Sequence, residues 1–381
     1  MIAATSKWTF REKVLWVLLV LVVSIFSKPG IALPEFTRLG YFSCTSCHVS
    51  PSGGGLLTPY GRSVASEKLA TWRFEGEEKA LYALGESTPD WLLLGGNFRQ
   101  IQTYYEGDRS RNGRFFTMQR DLEIGFVKGR YALVGTIGLD SGPEVKKPSA
   151  VYRRYFAKVD LNQNISVRIG RFFPKYGLMI PNHNAAIRKN FHFDQGMETD
   201  NFEVTFFSQK HEVTATAISG RVNGGGKEDL VAKKKGAAVV WAAYLINKHR
   251  FALNVLSHED DFQLDRVTGV NGAFKTSDKT WWLFELDGKQ SRLKSKNKVQ
   301  KSVVSYNRVG YELARGIFPF FLHELSQSNL EDGTTRADVN ALGMQWHPRP
   351  HFEIEGVFGQ MVKPSMHRYS VLGYLTFHYY L

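Results

Sequence analysis

Cysteine is almost absent from this 381-residue chain, which has two, Cys44 and Cys47. With both in one short stretch, neither a disulfide framework nor a four-cysteine zinc site is open to it. Long apolar runs are missing too: after Phe26 nothing approaches the about 20 residues a helical membrane span needs. Proline is modest at 13, whereas glycine (35), phenylalanine (27) and tyrosine (16) are plentiful. Such a composition suits β-structure and argues against a helical multi-haem cytochrome. Acidic residues are outnumbered, leaving a net charge of +13 that points to anionic partners or surfaces.

The two cysteines stand in Cys44-Thr45-Ser46-Cys47-His48, a C-x-x-C-H run, the attachment signature of a c-type haem. Cys44 and Cys47 would bond the haem vinyl groups as thioethers, and His48 would be the proximal iron ligand. The alternatives are a chance match and a thioredoxin-like redox pair, which would need a βαβ context that the sequence does not offer.

The N-terminus is consistent with export. Lys7, Arg11 and Lys13 precede an apolar run from Val14 to Phe26, about 13 residues long, and Gly30-Ile31-Ala32 supplies small residues for a peptidase. Residues 1–32 read as a signal peptide, with an uncleaved anchor as the alternative. Export excludes nucleic acid as a partner, and lipopolysaccharide phosphates, anionic solutes or an acidic redox protein remain. Residues 33–90 form a small haem segment with a Pro51-Ser52-Gly53-Gly54-Gly55 turn cluster and two short expected helices, Ser63–Arg73 and Glu75–Leu84. The segment is too small to enclose a haem by itself and contains no methionine. A second iron ligand is therefore either lacking or supplied from elsewhere in the chain.

From residue 91 to 381 the hydrophobic period is two. Val151, Tyr155, Ala157 and Val159 oppose Arg154, Phe156 and Lys158; Phe202, Val204 and Phe206 oppose Asn201, Glu203 and Thr205; Phe352, Ile354 and Phe358 oppose His351, Glu353 and Glu355. About 16 such segments follow one another, of the length of tilted membrane strands. Long connections (Gly107–Gly113, Ser141–Ser149, Lys175–Thr199, Asn223–Gly236, Ser291–Gln300, Ser328–Thr334) alternate with tight ones such as Lys128-Gly129 and Gln209-Lys210. That rhythm predicts an all-β, transmembrane antiparallel barrel of about 16 strands with both chain ends on the periplasmic side. Arg154, Lys158, Glu203, Glu353 and Glu355 are expected on its inner wall. The pairs Tyr104-Tyr105, Phe115-Phe116, Phe172-Phe173, Trp281-Trp282 and Tyr379-Tyr380 are expected in interfacial girdles, or else as β-core filling. Two basic stretches, Lys233–Lys235 and the series Arg292, Lys294, Lys296, Lys298, Lys301, are expected to face an anionic outer surface.

Val167-Arg168-Ile169-Gly170-Arg171-Phe172-Phe173-Pro174-Lys175-Tyr176-Gly177-Leu178 resembles the porin strand leading into the loop that narrows the pore. That loop would hold Met179, His183, His192 and Met197, all candidate distal ligands, against the alternative of solvated or packed loop residues. The last strand resembles the C-terminal strand of outer-membrane proteins, but ends in Leu381 where phenylalanine is usual. Signal, single C-x-x-C-H and barrel together resemble the fused monohaem c-type cytochrome–porins known from iron-oxidising bacteria, or a sister group. The resemblance implies electron transfer across the bacterial outer membrane through one covalent haem c, between an extracellular donor or acceptor and a periplasmic carrier. It places the haem segment on the periplasmic side. Two other classes stand beside it: a diffusion porin gated or sensed by the haem segment, and a haem enzyme such as a peroxidase. The last is weakened by the lack of any acid–base constellation near the motif.

Overall fold

A computed structural model of the chain describes residues 35–39, 41, 44–45, 47–79, 88–108, 110–139, 141–143, 145, 147–189, 198–221, 233–245, 249–295, 298–364 and 369–381. The expected signal peptide lies outside the described residues. Sixteen antiparallel strands close into one barrel. They are β1 (Leu92–Glu106), β2 (Arg111–Lys128), β3 (Tyr131–Leu139), β4 (Ala150–Asp160), β5 (Ile165–Phe172), β6 (Thr199–Phe207), β7 (His211–Arg221) and β8 (Lys233–Leu245). Then come β9 (His249–Glu259), β10 (Gln263–Lys275), β11 (Thr280–Leu293), β12 (Lys298–Tyr311), β13 (Ile317–Gln327), β14 (Arg336–Trp346), β15 (Phe352–Val362) and β16 (Ser370–Tyr380). β1 pairs with β2 on one side and with β16 on the other, from Asn97 opposite Tyr380 to Glu106 opposite Val371. Closure leaves no free strand edge.

Alternation along the strands puts polarity on the inside. Arg168, Glu203, Glu212, Asp265, Glu285, Asp287 and Arg308 are buried, whereas Leu342, Phe358 and Tyr152 are 69%, 65% and 70% exposed on the outside. Water-soluble proteins show the reverse arrangement. The expected inner-wall residues Arg154, Glu203, Glu353 and Glu355 do face the lumen, Arg154 bonding Glu123 at 2.5 Å and Arg308 bonding Glu355 at 3.0 Å.

Several sequence expectations shift. A bulge in β4 opposite Thr136/Ile137 makes Arg153 an extra residue, so both Arg153 and Arg154 reach inner-wall carboxylates, Asp121 and Glu123. Tyr152, not Val151, then takes the outward place. Adjacent aromatics cannot share a face, so Trp281 is fully buried and Trp282 lies outside. Strands also run further than hydrophobicity indicates: much of the expected loop Ser291–Gln300 is strand, Lys233–Lys235 opens β8, and β2 begins at Arg111. Those hairpin ends are polar on both faces, which removes the period-two signal while the hydrogen-bonded ladder continues.

The N-terminal segment fills the lumen from the rim of short turns. A 3-10 turn (Glu35–Leu39) and one helix, α1 (Pro59–Lys68), carry Phe36, Val64, Ala65 and Leu69. These pack with Trp281, Phe318 and Phe320 of the wall and with Tyr176, Ile180 and Ile187 of the long β5–β6 connection. That connection turns inward directly after the short β5 and includes a single helical turn, α2 (Ala186–Lys189). Plug, loop and wall thus share one core. The first expected helix starts earlier, because Thr58 caps it by accepting from Gly61 N–H at 3.1 Å, with Pro59 in its first turn. It stops at Lys68, where Thr71 and Trp72 N–H turn to the carbonyls of His347 (2.8 Å) and Pro348 (3.1 Å) on the barrel rim. Residues 75–78, expected to begin a second helix, form a turn in which Glu77 accepts from Phe74 N–H at 2.7 Å; residues 80–87 lie outside the described set.

Ion pairs lock the plug to the wall. Arg38 bonds Glu312 at 2.7 Å, and Arg349 bonds Glu77. Arg168 donates to Ser50 (2.7 Å), Ser52 (2.6 Å) and Glu203 (2.7 Å) while its guanidinium lies 3.6 Å from the centre of the Phe172 ring. Arg168→Ala leaves Glu203 charged and buried with its ion partner removed, which should destabilise the protein by about 3–5 kcal/mol. Equilibrium unfolding in detergent, with protease sensitivity of the N-terminal segment alongside, measures this. A change under about 1 kcal/mol would show that Arg168 does not hold the plug.

Candidate functional site

The C-x-x-C-H stretch is wound as a single turn: His48 N–H donates to the Cys44 carbonyl at 2.9 Å. That bond brings the two ends of the motif together, and Cys44 and His48 line one cavity. The two cysteines form no disulfide with each other. Directly after the motif the chain makes a tight lap. Val49 N–H bonds Leu56 O (3.0 Å), Thr58 N–H bonds Cys47 O (2.9 Å), and Ser50–Gly55 is the loop between them. Gly53, Gly54 and Gly55 are all left-handed, with φ of +76°, +68° and +67°. Three such residues in succession require glycine. A Cβ at Gly53 would also stand 2.9 Å from Cys44 Sγ. The glycine cluster therefore wraps the lap closely around the first thiol.

The wall fixes this lap from several directions. Leu56 and Val49 pack with Val134, Phe156 and Phe172, and Lys175 bridges Pro51 O at 3.2 Å and the Glu212 carboxylate. Gly61 of α1 lies directly on the Cys47 backbone, with no room for a Cβ. Cys47 is fully enclosed there, and burial pushes its thiol up to about 11. Burial raises the Cys44 thiol as well, although its surface still meets an internal cavity. His48 is lowered to about 4, chiefly by burial, against the opposing effect of the Gly54 and Gly55 carbonyls. Its imidazole is neutral at pH 7, the form that binds a metal. One ring nitrogen, Nδ1, is buried with no hydrogen-bond partner.

A cavity of about 330 Å³ runs through the lumen beside the motif, between the plug, the inward loop and wall residues of β1–β5, β7, β9–β12 and β14–β16. Cys44, His48, Met179 and His183, four of the residues singled out in the sequence, are all among the residues that line it. Cys47 is buried and does not line it, and His192 and Met197 lie outside the described residues. Sequence reasoning missed Met118, His347 and His378 on the same cavity. His378 was discoverable, since it alternates with outward Phe377 and Tyr379. It is held by Glu353 (2.8 Å) and Asn97 (3.0 Å). His347 sits in the short turn His347-Pro348-Arg349-Pro350, where no alternation marks an inward face. Among the described residues no three His, Cys, Asp or Glu side chains are grouped to hold a bare metal ion.

These residues fit a covalently attached haem in three respects: the one-turn spacing, the neutral imidazole with an orphaned buried nitrogen, and the cavity that Cys44 and His48 share. Cys47 is buried off that cavity and would have to turn toward it to join them.

Likeness to solved structures concerns the barrel. The fold is porin-like. The loop-deleted outer membrane protein OmpT of Vibrio cholerae superposes with a TM-score of 0.58 at 11% identity, over 76% of this chain and 99% of that one. The outer membrane channel DcaP of Acinetobacter baumannii gives 0.54 at 13% identity over 76% and 97%. An anion-selective porin from Comamonas acidovorans gives 0.53 at 9% identity over 76% and 99%. The matched three-quarters is the share that the barrel, Leu92 to Tyr380, takes of the chain. No protein-family model and no curated protein matches the sequence.

The contact between Gly61 and Cys47 is open to a direct test. Gly61→Ala forces α1 away from the motif and should destabilise the plug by about 1–3 kcal/mol, as overpacking does. In haem-free protein it should also speed labelling of Cys47, whose high thiol pKa otherwise keeps the thiolate scarce at pH 8. Unchanged labelling and unfolding would mean that α1 does not shield this thiol.

Proposed function

We propose that this chain is an outer-membrane electron-transfer protein carrying one haem c, attached through Cys44 and Cys47 and ligated by His48, inside a porin-like barrel. The observation that carries the reading is where the motif sits. It is clasped within the lumen by wall residues, not left on a tether outside the barrel. The apolar outer surface supports a lipid setting, because closed barrels with apolar exteriors are one of the two structures that satisfy every backbone group in a bilayer.

Each part of the chain has a task in this reading. The cofactor supplies a one-electron couple. Cys44 and Cys47 tether it, and His48 presents a neutral nitrogen to its iron. In this reading the wall would exclude lipid, and the plug and inward loop would limit access of bulk water to the site. Arg99, Arg154 and Arg308 on the cavity wall bring positive charge near it, balanced by Asp121, Glu123 and Glu355, and such charges tune a potential. The rim of short turns, entered by the plug, would face a periplasmic electron carrier. The long-loop rim would face an external donor or acceptor, with Lys235, Arg292, Lys294 and Lys298 toward lipopolysaccharide phosphates.

Purified exported protein should retain covalent haem after denaturation and show a reduced α-band. Cys44→Ala should weaken both, and the double Cys44→Ala/Cys47→Ala variant should abolish them. Exported wild type free of covalent haem would refute the reading. The cavity and the likeness to channel structures favour a second reading, a diffusion porin with a haem-bearing gate. Single-channel conductance separates the two. The full chain should be closed to small ions, and deletion of residues 35–79 should open it; an open full-length channel favours the porin.

A further inference from the structure

The plug supplies one face of the cofactor site and has no second ligand of its own, since residues 33–90 contain no methionine. The inward loop lines the same cavity with residues 177–183. It is tied to the barrel on both sides of residue 179. Before it, Tyr176 donates to Asp287 (3.0 Å), Gly177 N–H to Asn254 (3.3 Å) and Leu178 N–H to Glu285 (2.6 Å). After it, Arg99 donates to Pro181 O (2.6 Å) and Asn182 to the Tyr374 hydroxyl (2.7 Å). The first group of anchors belongs to β9 and β11, the second to β1 and β16, so the loop is strung across the lumen with Met179 between its fixings.

Met179 has a φ of +52°, one of two non-glycine residues among those described in left-handed backbone. An unbranched apolar residue gains nothing locally from that conformation, which persists only where the surroundings impose it. The five anchors do so, and Met179 is among the residues that line the cavity shared with Cys44 and His48. A thioether is a soft, neutral donor suited to haem iron, and its ligation raises the potential relative to a second imidazole.

We infer that Met179 is the distal iron ligand, donated across the lumen by the barrel's own loop to a haem held by the plug. This rests on the haem reading above. It adds a structural consequence: iron coordination would staple plug and barrel together, beyond the ion pairs at the rim.

The test uses the full-length exported holoprotein, with covalent haem checked by denaturing electrophoresis in every variant. Ferric wild type should be low-spin with the weak sulfur-to-iron charge-transfer band of methionine ligation. Met179→Leu, similar in volume, should keep the covalent haem but lose the band and become high-spin. Met179→His should restore a low-spin spectrum without the band and lower the midpoint potential. Met118→Leu and His183→Ala, altering the other thioether and the loop imidazole on this cavity, should retain the band. The inference is overturned if haem-bearing wild type has no such band, or if Met179→Leu keeps it. Should Met179→Leu not assemble, loss of the band in Met118→Leu would overturn it equally. Wild type without covalent haem fails the haem reading itself, a separate result seen on the gel.

Discussion

Closure of β1 onto β16 is the constraint from which the rest follows. A closed ladder of sixteen strands satisfies its own backbone groups and leaves no edge, and it also encloses a polar lumen. Period-two alternation then requires every outward leucine or phenylalanine to be matched by an inward neighbour. In this chain those neighbours include many arginines, glutamates and aspartates among apolar and neutral polar residues. Buried charge must be paired or solvated. The plug and inward loop answer that demand, bringing backbone carbonyls, serine hydroxyls and apolar side chains into a space otherwise left to water.

The pairing is distributed in a way that specifies position. Arg168 is the clearest instance, with one guanidinium joining the strand carboxylate of Glu203 to two serines of the plug and lying on the Phe172 ring. Buried ion pairs add little net stability compared with apolar packing, but wrong placements leave charges unpaired. A plug shifted by one residue would strand several charges at once. Position also decides which side chains meet at the cavity, so the wall's electrostatics and the site's chemistry are one problem.

Much of this was readable beforehand, and the reasons differ by element. Strand number and fold class followed from alternation, since a wall with lipid-like and polar faces writes its period directly into the sequence. The lap Pro51–Gly55 was visible as a turn, because successive left-handed residues need glycine. Helix α1 was misplaced by four residues at its start, since its cap, Thr58, and its stop, the rim contact of Thr71, are a local and a distant effect that hydrophobic spacing does not record. Arg153's bulge was hidden because one inserted residue reverses the alternation without altering composition. His347 and Met118 were missed because only the closed barrel brings residues 118, 179 and 347 to the cavity beside His48.

By itself the sequence determined the local chemistry: two cysteines and a histidine at one-turn spacing, glycines where the backbone must reverse its hand, and sixteen alternating segments. These depend on neighbours along the chain. The tertiary structure alone decided that the motif lies within the lumen, that α1 packs on the backbone of Cys47, and that a loop more than a hundred residues away lines the same cavity. Such relations depend on closure and on the pairing of buried charge, neither of which any short stretch of sequence carries.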